Sequence, residues 1–256
     1  MGLANRLLEV GASSTLEITA KAKKMQKEGI DVVSFGAGEP DFDTPKNIKE
    51  AAKKAIDDGF TKYTPAAGTP ELKEAVCQKF KRDNNLEYEP SQVVVSCGAK
   101  HSIYNVIQAL CQKGDEVIIP SPYWVSYPEM VRLAEARPIF VNTERANGFK
   151  LTRADLKKAI TKKTKLLILN SPSNPTGAVY DQDELFLAAE LAIENQIYVL
   201  SDEIYEKLIY DDARHISIAS FNKKIYGLTI TVNGVSKTYS MTGWRIGYLA
   251  APQETA

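Results

Sequence analysis

Seven short apolar runs dominate the chain from residue 93 onward: Val93–Val95, Val117–Ile119, Pro138–Val141, Leu166–Leu169, Ile197–Leu200, Leu228–Val232 and Gly247–Ala250. They are rich in β-branched residues and nearly continuous. A strand with one wet face alternates apolar and polar residues, whereas a strand covered on both faces reads as an unbroken apolar run. Helical patterns lie between most of the runs, over 101–111, 126–136, 152–160 and 183–195. Doubly covered strands alternating with helices predict an α/β domain with a mostly parallel sheet.

Residues 1–45 read differently. A helix is expected over 14–28, followed by the Gly- and Pro-rich segment GAGEPDFDTP. Residues 46–85 read as two helices around the loop TKYTPAAGTP. The chain contains no internal repeat and no low-complexity tract.

Composition narrows the function. The 256 residues carry 32 basic and 32 acidic side chains and are 44% hydrophobic. A net charge of zero gives no global field to draw in nucleic acid or anionic lipid. No run of 18 apolar residues suggests a membrane span, and the polar N-terminus does not resemble a secretory leader. Met1-Gly2 opens a myristoylation pattern that Arg6 breaks. Three cysteines, Cys77, Cys97 and Cys111, fit no zinc spacing and read as reduced thiols of a cytoplasmic protein. The only histidines, His101 and His215, have no neighbourhood that suggests a metal site or a Ser-His-Asp triad.

Ligands of parallel sheets bind where the strands end and the loops diverge. Five such ends carry chemistry here. Ser96-Cys97-Gly98-Ala99-Lys100 opens a helix. Ser121-Pro122-Tyr123-Trp124 offers an aromatic plate. Asn170 to Gly177, NSPSNPTG, offers the amide of Asn174. Ser201-Asp202-Glu203-Ile204-Tyr205 offers a carboxylate and a phenol. Asn233-Gly234-Val235-Ser236-Lys237 offers an amine.

Each has an ordinary explanation. The Gly98 turn could be a plain strand-to-helix link, Trp124 core packing, Asp202 a helix N-cap, the NPTG segment a turn, and Arg245 a structural ion-pair partner. Gly36-Ala37-Gly38 lacks the third glycine of a dinucleotide fingerprint. Lys237 is harder to explain away. It stands alone among small and apolar residues, where an ammonium is costly unless its pKa falls or it bonds covalently. Together the groups suit a ligand with an aldehyde, a phosphate and a pyridine ring.

The motifs GAGEPDFDTP, TKYTPAAGTPEL, SPYWVSYPEM, SPSNPTGAVY, SDEIYEKLIY and SKTYSMTGWRIGY run in order from residue 36 to 248. In these the chain resembles the fold-type I pyridoxal-phosphate aminotransferases, and within them the bacterial-type aspartate aminotransferase subgroup. The resemblance implies a three-layer α/β/α large domain over residues 46–256, with residues 1–45 belonging to a small domain. It implies a cytoplasmic enzyme that transfers the amino group of L-aspartate to 2-oxoglutarate by a ping-pong route. Some similar enzymes also use prephenate.

The resemblance also implies residue roles. Lys237 would hold pyridoxal phosphate as a Schiff base and then carry the proton at the substrate α-carbon. Asp202 would pair with the ring nitrogen, Asn174 and Tyr205 would bond the 3-oxygen, and Trp124 would stack on the ring. Arg245, Ser236 and the backbone at Gly98, Ala99 and Lys100 would hold the phosphate. Tyr63 would reach the phosphate of a neighbouring subunit in a homodimer. Gly38, Trp124, Asn174 and Lys100 would contact substrate, Lys100 through its distal carboxylate. No metal is implied.

Two departures stand out. Many similar enzymes carry serine three residues before the lysine, where this chain has Gly234. They also continue beyond the seventh strand by roughly another small domain, which supplies the arginine for the substrate α-carboxylate. The resemblance therefore implies a C-terminally truncated chain, and the alternative to an enzyme is a cofactor-binding dimer without turnover.

Overall fold

A computed structural model of the chain describes residues 2–11, 14–36 and 38–256. Ala37, within GAGEPDFDTP, and Met1, of the broken lipidation pattern, lie outside the described residues. Seven strands form one sheet: β1 (Val93–Ser96), β2 (Glu116–Ser121), β3 (Arg137–Asn142), β4 (Thr164–Asn170), β5 (Tyr198–Asp202), β6 (Thr229–Gly234) and β7 (Gly247–Ala250). Their order is β1-β7-β6-β5-β4-β2-β3. From β6 across to β3 every pairing is parallel, and β7 runs antiparallel to both β1 and β6.

Eight helices accompany the sheet among the described residues: α1 (Ser14–Lys27), α2 (Lys46–Asp57), α3 (Pro70–Asn84), α4 (Ala99–Leu110), α5 (Ser126–Leu133), α6 (Arg153–Ala159), α7 (Gln182–Asn195) and α8 (Lys223–Tyr226). The side-chain alternation of the strands explains why they must be apolar throughout. Ile119, Ile168, Leu200 and Val232 turn to one face, where Ile103 and Ile107 of α4 and Tyr127 and Met130 of α5 cover them. Ile118, Leu167, Leu169 and Val199 turn to the other face, against Leu156 of α6, Leu185 and Ala189 of α7 and Ile225 of α8. On that same face Val76 and Phe80 of α3 close over β1 and β7. The three-layer α/β/α expectation is met. Fully burying one such Leu or Ile side chain contributes about 1.5–3 kcal/mol.

Capping fixes the helix starts. Thr69 accepts from the Leu72 N–H ahead of α3, with Pro70 at its first position, where a missing N–H costs nothing. Thr152 and Asp181 form reciprocal capping boxes with Asp155 and Glu184 at α6 and α7. Helix α4 begins at Ala99, two residues earlier than the apolar periodicity suggests, because Gly98 with φ 93° turns the chain directly out of β1.

The N-terminal part is less covered. Leu3, Leu8, Val33, Phe35 and Phe42 are exposed, and no residue of α2 is buried. No helix among the described residues is long and apolar enough to cross a membrane.

Candidate active site

The parallel strands end on one edge, and the antiparallel sense of β7 matters there. Its first residue, Gly247, pairs with Ser96 at the end of β1 and with Gly234 at the end of β6. The residues just before β7 are thereby delivered to the edge where β1, β4, β5 and β6 finish. Arg245 and Lys237, both in the β6–β7 connection, join Asp202 and Asn174 in this way.

Asp202 closes β5 and is 3% exposed. Its Oδ2 accepts a 2.6 Å hydrogen bond from the Tyr127 hydroxyl, and its Oδ1 accepts from the Ile204 N–H at 3.3 Å. The residues that follow form a turn rather than a helix, so Asp202 caps a turn and not the helix that the sequence allows. Burial pushes its carboxyl up to about 6 and Glu203 adds to this, against the bonds from Tyr127 and Ile204. Tyr127 was not singled out from the sequence. Its one signal is its place in SPYWVSYPEM three residues after Trp124, one helical turn on.

The β4 end is braced against the β5 end. Asn170 Nδ2 donates to the Asp202 carbonyl at 3.0 Å, and Asn170 Oδ1 accepts from the Asn174 N–H at 2.7 Å. Tyr205 lies beside these groups. Burial and the Asp202 charge raise its phenol, opposed by a hydrogen bond with the Asn174 side chain.

Lys237 is half-buried. Its amine donates to the Gly38 carbonyl and lies 5.5 Å from the Tyr205 ring centroid. Burial holds this amine below the usual lysine range, with Glu39 pulling the other way. The adjoining segment is fastened to the same loop, since Thr44 Oγ1 donates to the Ser240 carbonyl at 2.5 Å and accepts from Trp244 Nε1 at 3.1 Å. A cavity of about 510 Å³ opens between residues 39–44 and the 240–244 loop.

Arg245 crosses the start of α4. Its Nη1 donates to the Thr242 carbonyl at 2.8 Å and its Nη2 to the Cys97 carbonyl at 3.3 Å. A Cβ at Gly98 would collide with this guanidinium, and a Cβ at Gly247 would collide with the Ala99 backbone. The two glycines are what let β7, α4 and Arg245 approach. The first N–H groups of α4, at Ala99 and Lys100, have no acceptor within the helix and make an anion-binding end. Ser236 is buried nearby in sequence to Lys237. A side chain at Gly234 would press on Gly247 and Ile204 at 3.1–3.2 Å, so the expected serine is not readily accommodated there.

Trp124 packs edge-on to Tyr127 with ring centroids 5.3 Å apart. The Lys100 amine lies 4.8 Å from the Trp124 ring centroid. Burial and then the Arg245 charge lower the Lys100 amine. Tyr63 is fully exposed and makes no part of this cluster within its own chain.

Residues 30–256 match the family of class I and II aminotransferases. The aspartate aminotransferase of Bacillus sp. (strain YM-2) is 55% identical over 248 residues, which is 97% of this chain and 63% of that protein. A probable aspartate/prephenate aminotransferase of Aquifex aeolicus is 51% identical over 255 residues, 100% of this chain and 65% of that protein. Among solved structures, the aspartate aminotransferase from Thermus thermophilus with maleate superposes with a TM-score of 0.96 at 47% identity, covering 100% of this chain and 66% of that one. The chain thus spans a little under two thirds of the length of these proteins.

Proposed function

The chain belongs to the class I and II aminotransferase family, and on that premise we propose that its site serves the pyridoxal-phosphate-dependent transfer of an amino group from L-aspartate to 2-oxoglutarate. The products are oxaloacetate and L-glutamate, and one half-reaction precedes the other at the same site. One observation carries this reading: a half-buried amine with a lowered pKa and a buried carboxylate, Lys237 and Asp202, stand at adjoining strand ends beside an arginine and an open helix N-terminus.

The residues fit the cofactor. Ser96 Oγ is buried without a hydrogen-bond partner at the end of β1, and at Gly98 the absence of a side chain lets the Arg245 guanidinium lie against the backbone that opens α4. The donors suit a phosphate: a guanidinium, the Ser236 hydroxyl and the N–H groups of Ala99 and Lys100. Pyridoxal phosphate, when bound, supplies an aldehyde and a ring that stabilises negative charge at the substrate α-carbon.

The protein's residues do the rest. Lys237 anchors the aldehyde and then moves the α-carbon proton, a task that favours an amine held below the usual lysine range by burial. Asp202 holds a proton on the ring nitrogen. Asn174 and Tyr205 orient the ring through its 3-oxygen, and Trp124 covers one of its faces. Gly38 and Lys100 bind substrate, the latter through the distal carboxylate of a dicarboxylic acid.

Residues 1–45 are proposed to belong to a smaller domain, and the chain to work as a cytoplasmic homodimer in which Tyr63 serves the neighbouring site. The exposed Tyr63 and Phe60 support a partner there. Three free cysteines support a reducing compartment. A second substrate, prephenate, has support in the relative from Aquifex aeolicus.

The test is a visible spectrum on addition of pyridoxal phosphate to the wild type and to Lys237→Ala. The expected result is an absorbance band in the wild type alone; a band of equal strength in the variant overturns the assignment. Turnover with aspartate, and with prephenate as a competing acceptor substrate, then separates the two specificities. Binding without turnover supports a non-catalytic dimer instead.

A further inference from the structure

Asp202 has a neighbour on the other face of the sheet. Glu203 follows it in sequence, so its side chain points away from the site. It is 1% exposed. Its Oε1 accepts from Ser201 Oγ at 2.8 Å and from Ser217 Oγ at 2.7 Å. Its Oε2 meets His215 Nε2 at 2.9 Å and accepts from Asn84 Nδ2 at 3.1 Å. The Glu203 N–H donates to the Val232 carbonyl of β6 at 2.9 Å. One residue thus ties β5, β6, α3 and the chain at 215–217 together directly behind Asp202.

The cluster supplies its own countercharges. Lys79 donates to Asn84 Oδ1 at 2.7 Å and pairs with Glu206. Asn84 also donates to Glu206 Oε2 at 2.9 Å. Ligating atoms of Glu203, Glu206 and His215 lie within 4.8 Å of one another, a spacing a metal could use, and the Lys79 ammonium already pairs with one of them, Glu206. Burial raises the Glu203 carboxyl, yet the His215 charge and the bonds from His215, Ser217 and Ser201 outweigh it and hold the group below its usual range. For His215 burial acts downward, and Glu203 reverses it, so the imidazole is raised. Among the described residues, further charged or titratable groups around the pair are Asp83 of α3 with its partner Lys207, Tyr88 bonded to Thr231, and Tyr248 of β7 with Tyr239 beside it. On the Asp202 side the facing groups are Tyr127 of α5 and Tyr205.

We propose that Glu203 and His215 are positioning residues for Asp202: from the opposite face of the sheet, their ion pair anchors the backbone that carries the Asp202 carboxylate and sets the charge that carboxylate feels. The role rests on the reading of Asp202 as the partner of the cofactor's ring nitrogen. A lone Glu203 carboxylate would disfavour a second negative charge one residue away. His215 neutralises it, so Asp202 can carry its charge toward the site.

The pair makes a prediction that loss of structure does not imitate. Removing Glu203's charge and removing His215's charge act on Asp202 in opposite directions. The experiment is a carboxyl-carbon NMR titration of Asp202 in the ligand-free protein, assigned with Asp202→Asn, for the wild type, Glu203→Gln and His215→Gln. Glu203→Gln is expected to lower the Asp202 midpoint by on the order of one pH unit and His215→Gln to raise it by a similar amount. Absorbance titration with pyridoxal phosphate is expected to show about tenfold weaker binding for His215→Gln. Should a single variant fail to fold, the double variant Glu203→Gln/His215→Gln removes both charges and keeps two amides to bond each other; its midpoint is expected to return to within a few tenths of a unit of the wild-type value, about one unit from that of the single variant that folds. Shifts in the same direction, or no shift, with cofactor binding intact, overturn the pair's role alone. Opposite shifts in a wild-type protein that binds no pyridoxal phosphate overturn the proposed function and the role with it.

Discussion

Tyr127 donates a 2.6 Å hydrogen bond to Asp202 Oδ2, joining the first turn of α5 to the last residue of β5. Both side chains are almost wholly buried, so neither finds a substitute partner in water. The bond favours the ionised carboxyl, and burial opposes it.

Tyr127→Phe removes only the hydroxyl. It leaves a buried acceptor unpaired, which costs about 1–3 kcal/mol, and it raises the Asp202 carboxyl further above about 6. The expected outcome is a lower urea midpoint together with weaker binding of pyridoxal phosphate near neutral pH. Stability lost without any change in binding would separate Tyr127 from the site.

Asp202→Asn reverses the sign of the stability effect. The folded carboxyl titrates at about 6 against 3.8 for the ordinary group. Between those values the folded protein holds a proton that the unfolded chain has released, so stability falls as pH rises through the window and levels off above it. The difference amounts to on the order of 3 kcal/mol at pH 8. Asparagine keeps an acceptor for Tyr127 and never ionises. Compared with the wild type, the variant is expected to gain stability between pH 4 and 6 and hold that gain to pH 8, while its affinity for pyridoxal phosphate falls. Denaturant midpoints at pH 4, 6 and 8 decide; parallel curves for the two proteins refute the buried-charge account.

Much of this site was legible in the chain because its residues break local rules. Lys237 lacks the lysine neighbours that mark solvated helix faces, and Asp202, Asn174 and Gly98 each fall just past an apolar run. The strands were legible because coverage on both faces leaves an unbroken apolar pattern. The direction of β7 was not, since Gly247–Ala250 reads the same either way; it is set by pairing with β1 and β6. Tyr127 and the Glu203 cluster were missed for a related reason. His215 looked unsupported because its partners are Glu203, 12 positions away, and, through Asn84, a helix more than a hundred residues earlier. Side-chain networks of that reach leave no spacing to read.

Gly98 and Gly247 predict different failures. At Gly98 the obstruction is the end of the Arg245 side chain, and φ is 93°. Gly98→Ala is expected to fold with some loss of stability while displacing the guanidinium, weakening binding of inorganic phosphate and of pyridoxal phosphate by about 10–100-fold, the worth of one charged hydrogen bond. At Gly247 the obstruction is the Ala99 backbone, which cannot move without α4. Gly247→Ala is expected to lose the cooperative thermal transition altogether. Equal phosphate affinity in Gly98→Ala and wild type would remove Arg245 from the anion site.

The Lys237 amine is set by two opposed effects, burial lowering it and the Glu39 carboxylate raising it. Glu39 is itself fastened to the β6–β7 connection by Thr242 Oγ1. Glu39→Gln keeps an acceptor for Thr242 and removes the charge, so the amine loses the carboxylate that favours its ammonium form. The neutral amine then persists to lower pH. Capture of pyridoxal phosphate by Lys237, trapped with borohydride and followed by mass across a pH series, is expected to show its midpoint shifted downward by up to about one unit. The Lys237→Ala variant gives the background. An upward shift, or none, would mean that Glu39 acts on the amine only by holding the Gly38 carbonyl in place, and the double variant Glu39→Gln/Thr242→Val, which breaks that fastening as well, distinguishes the two by whether capture slows at every pH rather than at low pH alone.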